Sequence, residues 1–389
     1  VTRRVVILSA GMGAGHDGVA VELAGRLAAR GAEVEVIDVL QVLPFRLGPL
    51  LRGWYQWAIR RAPWLYEVIY QVFFTGKRGP SSSPLAALGA ARLVRLPGPR
   101  GCDEVVSTFH LAAQMAGLLR ERGLLRARST VLVTDFAVHR MWLHPGNDRY
   151  LCPDPAAAGP ITAATGRPAS PCAPVVRPEF RPAATRAEGA GALSGTRRNG
   201  PAGVRRRIGA REGDRLVLIS SGSWGVGRVE RTARLLARSG RYTPVVLCAG
   251  NDALRRRLAV RGAGIALGWR DDLPELMAAA YALVDNAAGL TCEEAFAAGL
   301  PVVSYLPIAG HGRDGALAMA RAGVSAHARR GADLLRALDD LGDRRERALA
   351  LFGSPPADSL IMPLPAPALS PPAPAPGWGA TGTEGSSRR

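Results

Sequence analysis

The sequence predicts an α/β protein made of two doubly wound parallel-sheet units in tandem. Continuous apolar runs separated by helix-length segments fall at residues 4–9, 33–39, 104–109, 129–135 and 149–152. Such runs suit strands covered on both faces. After residue 153 the composition shifts to Pro, Ala, Gly and Arg, and the alternation restarts at 215–221, 243–250, 263–268, 281–286 and 301–305. A glycine-rich turn leads from the first strand of each half into a helix, as a ligand-binding βα unit requires. The expected division is an N-terminal domain over 1–180, a flexible linker over 181–204, a C-terminal domain over 205–352 and a disordered Pro/Ala-rich tail over 353–389.

At 389 residues the chain has room for two ordinary domains. Its formal charge of +18 is nearly all arginine, Lys77 being the only lysine. Alongside so much Ala, Gly and Pro, that pattern points to a GC-rich genome. The expected partner is an anionic membrane surface or a phosphate, and no nucleic acid is expected. The five cysteines are scattered without a C-x-x-C pair, which predicts neither a disulfide framework nor a zinc site but a reducing cytoplasm. The sequence runs directly into a strand, so no signal peptide is expected, and no apolar run is long enough to span a bilayer.

The first strand is followed by SAGMGAGHDG, in which Gly13, Gly15 and Gly18 fit G-x-G-x-x-G. Asp38 ends the second strand-like run, 20 residues after Gly18, where a ribose-binding acid would sit in a dinucleotide site. The histidine inside the loop, His16, leaves a second use open.

Two further loops stand in the second half. In SSGSWGVG, Gly222, Gly225 and Gly227 let backbone amides approach a ligand ahead of a helix N-terminus, with Ser221 and Ser223 adding hydroxyls. In LVDNAAGLTCEEAFAAGLP, a strand ends at Asp285 and a helix opens near Thr291 with Glu293 and Glu294 in its first turn. This arrangement offers amides and a hydroxyl to phosphates and a carboxylate to ribose, although an acid there also suits the helix dipole.

Residues 45–74 hold nine of the chain's 22 Trp, Tyr and Phe residues, interleaved with arginines. Trp54, Trp57, Arg60, Arg61 and Trp64 predict a patch for the bilayer interface, and a core-packed hairpin is the alternative.

Taken together, these strings resemble glycosyltransferase family 28, within it the monogalactosyldiacylglycerol synthase and processive diacylglycerol glucosyltransferase branch. On the N-terminal side the resemblance rests on ILSAGMGAGHDGVAVEL, EVEVIDVL, PWLYEVIY, VVSTFH and VLVTDFAVHRMWLHPGNDRYLCP. On the C-terminal side it rests on VRPEF, SSGSWGVG, LGWRDDLPELM, NAAGLTCEEAFAAGLPVVSY and GHGRDGA, in matching order over about residues 4–327.

The resemblance implies a GT-B architecture, two Rossmann-like domains facing across a cleft, and transfer of a hexose from a UDP-sugar to a lipid such as diacylglycerol, with inversion. Glycolipid synthesis on the inner face of the cell membrane would follow, with the protein cytoplasmic and peripheral. It implies an acceptor-side loop of Gly13, Ala14, Gly15 and His16, with His16 as base or positioner of the attacking hydroxyl. An imidazole, titrating near neutrality, suits that role. Asp135 competes as base or orienter, and His139 and Trp142 line the acceptor cleft.

On the donor side, the resemblance assigns Gly222, Ser223, Trp224 and Gly225 to the diphosphate or sugar, and the backbone of Gly268, Trp269 and Arg270 to the uracil edge. Gly289, Leu290 and Thr291 would hold the phosphates, Glu294 the ribose, and Gly310, His311, Gly312 and Arg313 the sugar hydroxyls or phosphate. No metal and no cofactor beyond the UDP-sugar co-substrate are expected; Asp135, His139 and His144 have the spacing for a metal, but this fold usually holds the leaving diphosphate with amides and a helix dipole. Under this resemblance the first loop serves the acceptor and the dinucleotide use falls away. Two departures stand out: Ala288 where relatives carry a glycine, and Gly315 where an asparagine is usual. They motivate the alternative of a degenerate GT-B protein that binds nucleotide or lipid without turnover.

Overall fold

The computed structural model describes residues 2–75, 83–182, 200–220 and 222–363. Two six-stranded sheets, each parallel throughout, form two lobes. The first holds β1 (Arg4–Ser9), β2 (Glu33–Asp38), β3 (Glu104–Ser107), β4 (Arg128–Leu132), β5 (Arg149–Cys152) and β6 (Ala169–Pro171) in the order β2-β1-β3-β4-β5-β6. The second holds β7 (Leu216–Ile219), β8 (Thr243–Leu247), β9 (Ile265–Leu267), β10 (Ala282–Asp285), β11 (Val302–Tyr305) and β12 (Ser325–Ala328) in the order β12-β11-β10-β7-β8-β9. The apolar runs form central strands because helices cover both faces: every residue of β3, β7, β10 and β11 is buried.

Each order reverses direction once, between β1 and β3 in the first sheet and between β7 and β10 in the second. Ligands of open α/β sheets bind outside the carboxyl ends of the strands at that reversal. There the loop after β1 carries His16, and the loops after β7 and β10 carry the two C-terminal glycine clusters. The fold therefore brings the three loops that the sequence marks to the two crevices.

Three expectations need correction. The linker does not extend to 204, because Pro201–Arg207 is a helix with Val204 buried in the second lobe's core. Pro201 starts it, and Val204 and Ile208 give it one apolar face, a signal hidden by the surrounding Pro, Gly and Arg. The tail does not begin at 353 either. Residues Ala357–Ile361 are helical and return to the first lobe, where Ala357 and Ile361 share a core cluster with Ile7, Leu23 and Leu27. Its carbonyls accept from arginines of that lobe: Arg149 to Leu360 at 2.7 Å, Arg3 to Ile361 at 3.2 Å and Arg30 to Met362 at 2.7 Å. Residues 183–199 of the expected linker and 364–389 of the expected tail lie outside the described residues, as does Ser221. Finally, β6 and β12 were not foreseen.

The same arginines explain an acid inside a strand. Glu104 is fully buried, and pairs with Arg3 at 2.7 Å and Arg149 at 2.6 Å. Burying a carboxylate is costly unless charge pairing or hydrogen bonds compensate it, as both arginines do here.

The aromatic segment forms a helical hairpin, Leu47–Arg61 and Pro63–Tyr70, on the first lobe. Its outer face exposes Trp54, Trp57 and Trp64 by 36%, 51% and 70%. Its inner face buries Ala58, Tyr66 and Tyr70 in a cluster of their own. The tryptophans are thus not packed into a core.

Candidate active site

The loop after β1 enters the helix Ala14–Ala29 at Gly13, and His16 lies in its first turn. His16 Nδ1 is 3.0 Å from Thr134 Oγ1, and its ring meets Phe109 edge-on at 5.1 Å. Asp38, the acid that a dinucleotide would need, is committed to its own turns. Its Oδ1 accepts from the amides of Leu40 at 2.9 Å and Gly11 at 3.3 Å.

Across the seam, the helix Leu290–Ala297 begins directly against this loop. A Cβ on Gly15 would lie 3.6 Å from Leu290 Cβ, and one on Gly18 only 2.9 Å from Leu290 Cδ2. A Cβ on Gly13 would lie 3.4 Å from Ser223 Oγ. The glycines of the first loop thus admit the second lobe, and the His16 loop faces both C-terminal glycine loops. In the loop after β7, Gly225 is left-handed (φ +59°) and a Cβ there would sit 2.7 Å from Asn251 Cβ. The Asn251 side-chain amide donates to Gly225 O at 2.9 Å, fixing the turn.

Asp135 follows β4. Its Oδ2 accepts from Trp142 Nε1 at 2.9 Å and lies 3.8 Å from His139 Nε2. Trp142 is fully buried in the first lobe's core, which corrects its placement as a cleft-lining residue: it anchors Asp135. Phe136 then pins the loop to the second lobe through an edge-on contact with Phe296 at 6.0 Å.

Four of the chain's six histidines converge here. The rings of His110 and His139 are 5.2 Å apart, with Phe74 4.9 Å from His139 and Phe109 4.1 Å from His110. Burial pushes His139 down to about 4, against the opposing pull of Asp135. Burial, with His139, His16 and His311 nearby, holds His110 well below the ordinary imidazole value. The Nδ1 atoms of both His110 and His139 are buried without a hydrogen-bond partner among the described residues. His311, first residue of the helix His311–Arg321, has its Nδ1 3.0 Å from the Tyr66 hydroxyl and 3.4 Å from the Tyr55 hydroxyl, and burial lowers it too.

In the first turns of the helix Leu290–Ala297, Glu293 and Glu294 are both buried. Burial, with Asp135 and Glu294 adding to it, pushes the Glu293 carboxyl up to about 8; burial pushes Glu294 up to about 7, opposed by Arg177. Two arginines expected near the donor are held by acids. Arg270 forks onto Asp272 at 2.7 and 2.5 Å, and Arg313 pairs with Glu67 at 2.5 Å and Asp314 at 3.0 Å. Trp269 is exposed beside Gly268 after β9. Arg60 donates to Trp224 O at 3.1 Å, so this member of the aromatic patch reaches the loop after β7 in the second lobe, while Arg61 is exposed. His144 is turned into its own loop, its Nδ1 accepting from the Gly146 amide at 3.0 Å. No group of three His, Cys, Asp or Glu among the described residues could hold a metal ion.

The two departures meet each other. Ala288 is left-handed (φ +52°), and its methyl lies 2.7 Å from where a Cβ on Gly315 would be. Asp285 Oδ2 holds the turn by accepting from the amides of Ala287 and Ala288 at 2.8 and 2.6 Å. The methyl fills the space of a side chain at 315, so the pair is matched. Gly315→Ala is therefore expected to cost about 2 kcal/mol in the native chain and close to nothing in an Ala288→Gly background. Urea unfolding of the two singles and the double checks this, and equal costs in both backgrounds would contradict it.

Residues the sequence did not single out also belong here: Thr134, His110, Tyr55, Tyr66, Glu67 and Tyr70. His110 had a readable signal, since it stands where β3 gives way to its helix, the position that flagged Asp135.

Comparison with known proteins bears on the fold and on the sequence as a whole. The family model described as monogalactosyldiacylglycerol (MGDG) synthase matches residues 16–167. The processive diacylglycerol beta-glucosyltransferase of Bacillus pumilus (strain SAFR-032) is 22% identical over 359 residues, covering 89% of this chain and 88% of its own length. The protein of that name from Bacillus subtilis (strain 168) is 23% identical over 330 residues, covering 81% and 80%. Among solved structures, MurG of Acinetobacter baumannii superposes with a TM-score of 0.57 at 17% identity, over 92% of this chain and 98% of its own. TcCGT1 in complex with UDP gives 0.56 at 12%, over 91% and 94%. These likenesses and the two parallel six-stranded sheets make the architecture GT-B. In sequence, the chain is similar to monogalactosyldiacylglycerol synthase over residues 16–167 and to processive diacylglycerol beta-glucosyltransferases over most of its length.

Proposed function

We propose that this chain is a UDP-sugar-dependent hexosyltransferase acting on a lipid alcohol such as diacylglycerol, with inversion, in glycolipid synthesis. The observation that carries it is the apposition of the His16 loop to Ser223 and Leu290, which sets a base-bearing turn against two anion-accepting loops. His16, oriented by Thr134, takes the proton from the lipid hydroxyl. The hydroxyl oxygen then attacks the anomeric carbon opposite the diphosphate, and UDP leaves. Amides at Gly289, Leu290 and Thr291 and the helix N-terminus behind them stabilise the departing charge. Gly222, Ser223, Trp224 and Gly225 hold the diphosphate or sugar; Gly268, Trp269 and Arg270 face the uracil, and Glu294 takes the ribose. Asp135, fixed by Trp142, orients the acceptor side together with His139.

The exposed tryptophans favour peripheral attachment to the inner face of the membrane. No helix among the described residues is long and apolar enough to cross it. Indole rings flanked by arginines suit an anionic interface. Replacing Trp54, Trp57 and Trp64 together by alanine is expected to reduce flotation with anionic liposomes about tenfold. Flotation equal to the native chain's would remove the patch from this role.

The deciding assay incubates the protein with radiolabelled UDP-sugars and a mixed lipid extract, then identifies the labelled product. Labelled glycolipid supports transfer. Donor binding without transfer supports the degenerate alternative, whose motive weakens now that Ala288 and Gly315 form a matched pair.

A further inference from the structure

The hairpin that exposes its tryptophans outward grips the donor side with its other face. Glu67 is the centre of that grip. Its Oε2 accepts from the Gly310 amide at 2.9 Å and its Oε1 from Arg313 Nη1 at 2.5 Å, so one carboxylate holds the N-cap and the first turn of the helix His311–Arg321. Around it, Tyr66 and Tyr55 reach His311. Gly310 is left-handed (φ +69°) and a Cβ there would meet Tyr66 at 2.7 Å and Tyr70 at 2.8 Å, so only glycine permits so close an approach. A second donor-side loop is touched by the same hairpin: Tyr55 packs edge-on against Trp224 at 5.5 Å, beside the Arg60 contact to the Trp224 carbonyl.

We propose that Glu67 is a positioning residue for sugar transfer, setting the donor segment Gly310–Arg313 from the acceptor lobe so that donor affinity depends on the membrane-facing hairpin. This rests on the transferase reading above. Burial alone would raise the Glu67 carboxyl, but hydrogen bonds from Gln71, Arg313 and Gly310 bring it below its ordinary value and keep it charged. Arg313, between Glu67 and Asp314, is thereby held in one orientation instead of sampling the cleft. The contact is not what joins the lobes. Phe136 on Phe296, and Leu290 against the Gly15 and Gly18 backbone, already do so. Losing Glu67 should therefore free the donor segment without unfolding the chain.

The test uses the full chain with a UDP-sugar and diacylglycerol-containing vesicles, with melting temperature followed for each variant. Glu67→Ala is expected to raise the donor KM about tenfold while kcat changes by less than about threefold and the lipid KM holds. Glu67→Gln, which keeps an acceptor for the Gly310 amide, should fall between, and it carries the test if the alanine variant does not fold. Adding Arg313→Ala to Glu67→Ala should cause little further loss, because the two act as one unit. Native turnover with the donor KM unmoved in both Glu67 variants, or fully additive losses in the double, overturns the role of Glu67 alone. A native chain that binds no UDP-sugar overturns the transferase reading and this role with it.

Discussion

His16→Ala is expected to lower kcat for sugar transfer by about 10³-fold while leaving UDP-sugar affinity within about twofold. A positioned general base typically contributes two to four orders of magnitude, and His16 sits in the first turn of its helix with Nδ1 engaged by Thr134. Its loop faces the second lobe through glycine backbone, so removing the imidazole leaves the proposed donor residues of that lobe in place. Initial rates with vesicle-borne lipid give kcat, and titration calorimetry with the UDP-sugar gives affinity. Added imidazole should restore part of the rate. A variant retaining a tenth or more of native turnover would move the base elsewhere, first to Asp135.

Glu293→Gln is expected to stabilise the protein by an amount on the order of 2 kcal/mol at pH 8–9 and to change little near pH 4. Burial, then Asp135 and Glu294, holds the folded carboxyl up to about 8, against an ordinary value of 4.5. Below pH 4.5 both folded and unfolded chains keep the proton, so ionisation costs nothing. Between 4.5 and 8 the unfolded chain releases it first, and native stability falls as pH rises. Glutamine does not titrate and removes that part of the slope, while Glu294 still contributes up to about 7. Urea unfolding from pH 4 to 9 would show the two curves diverging upward in pH. Parallel curves would mean that Glu293 ionises freely in the folded chain.

The strands were legible where apolar residues run continuously, because a parallel strand buried on both faces leaves no room for polar alternation. β6 and β12 escaped because ASP and SAHA are short and made of small or polar residues, and their pairing is decided by neighbours already in place. Ala357–Ile361 escaped for a similar reason, since its order comes from Arg3, Arg30 and Arg149, hundreds of positions away. In the site, His16 and Asp135 could be named because strand-end positions are readable locally. Tyr55, Tyr66 and Glu67 could not, because their partners His311, Gly310 and Arg313 stand more than 240 positions away in sequence and become neighbours only in the folded chain. Trp142 was misplaced because an indole in a motif looks the same whether it meets ligand or braces an aspartate.

The returning helix Ala357–Ile361 also bears on how the protein is made. On the ribosome, the first lobe emerges long before the segment that covers Ile7, Leu23 and Leu27. That face stays open through synthesis of the whole second lobe, so the lobe made first is finished last.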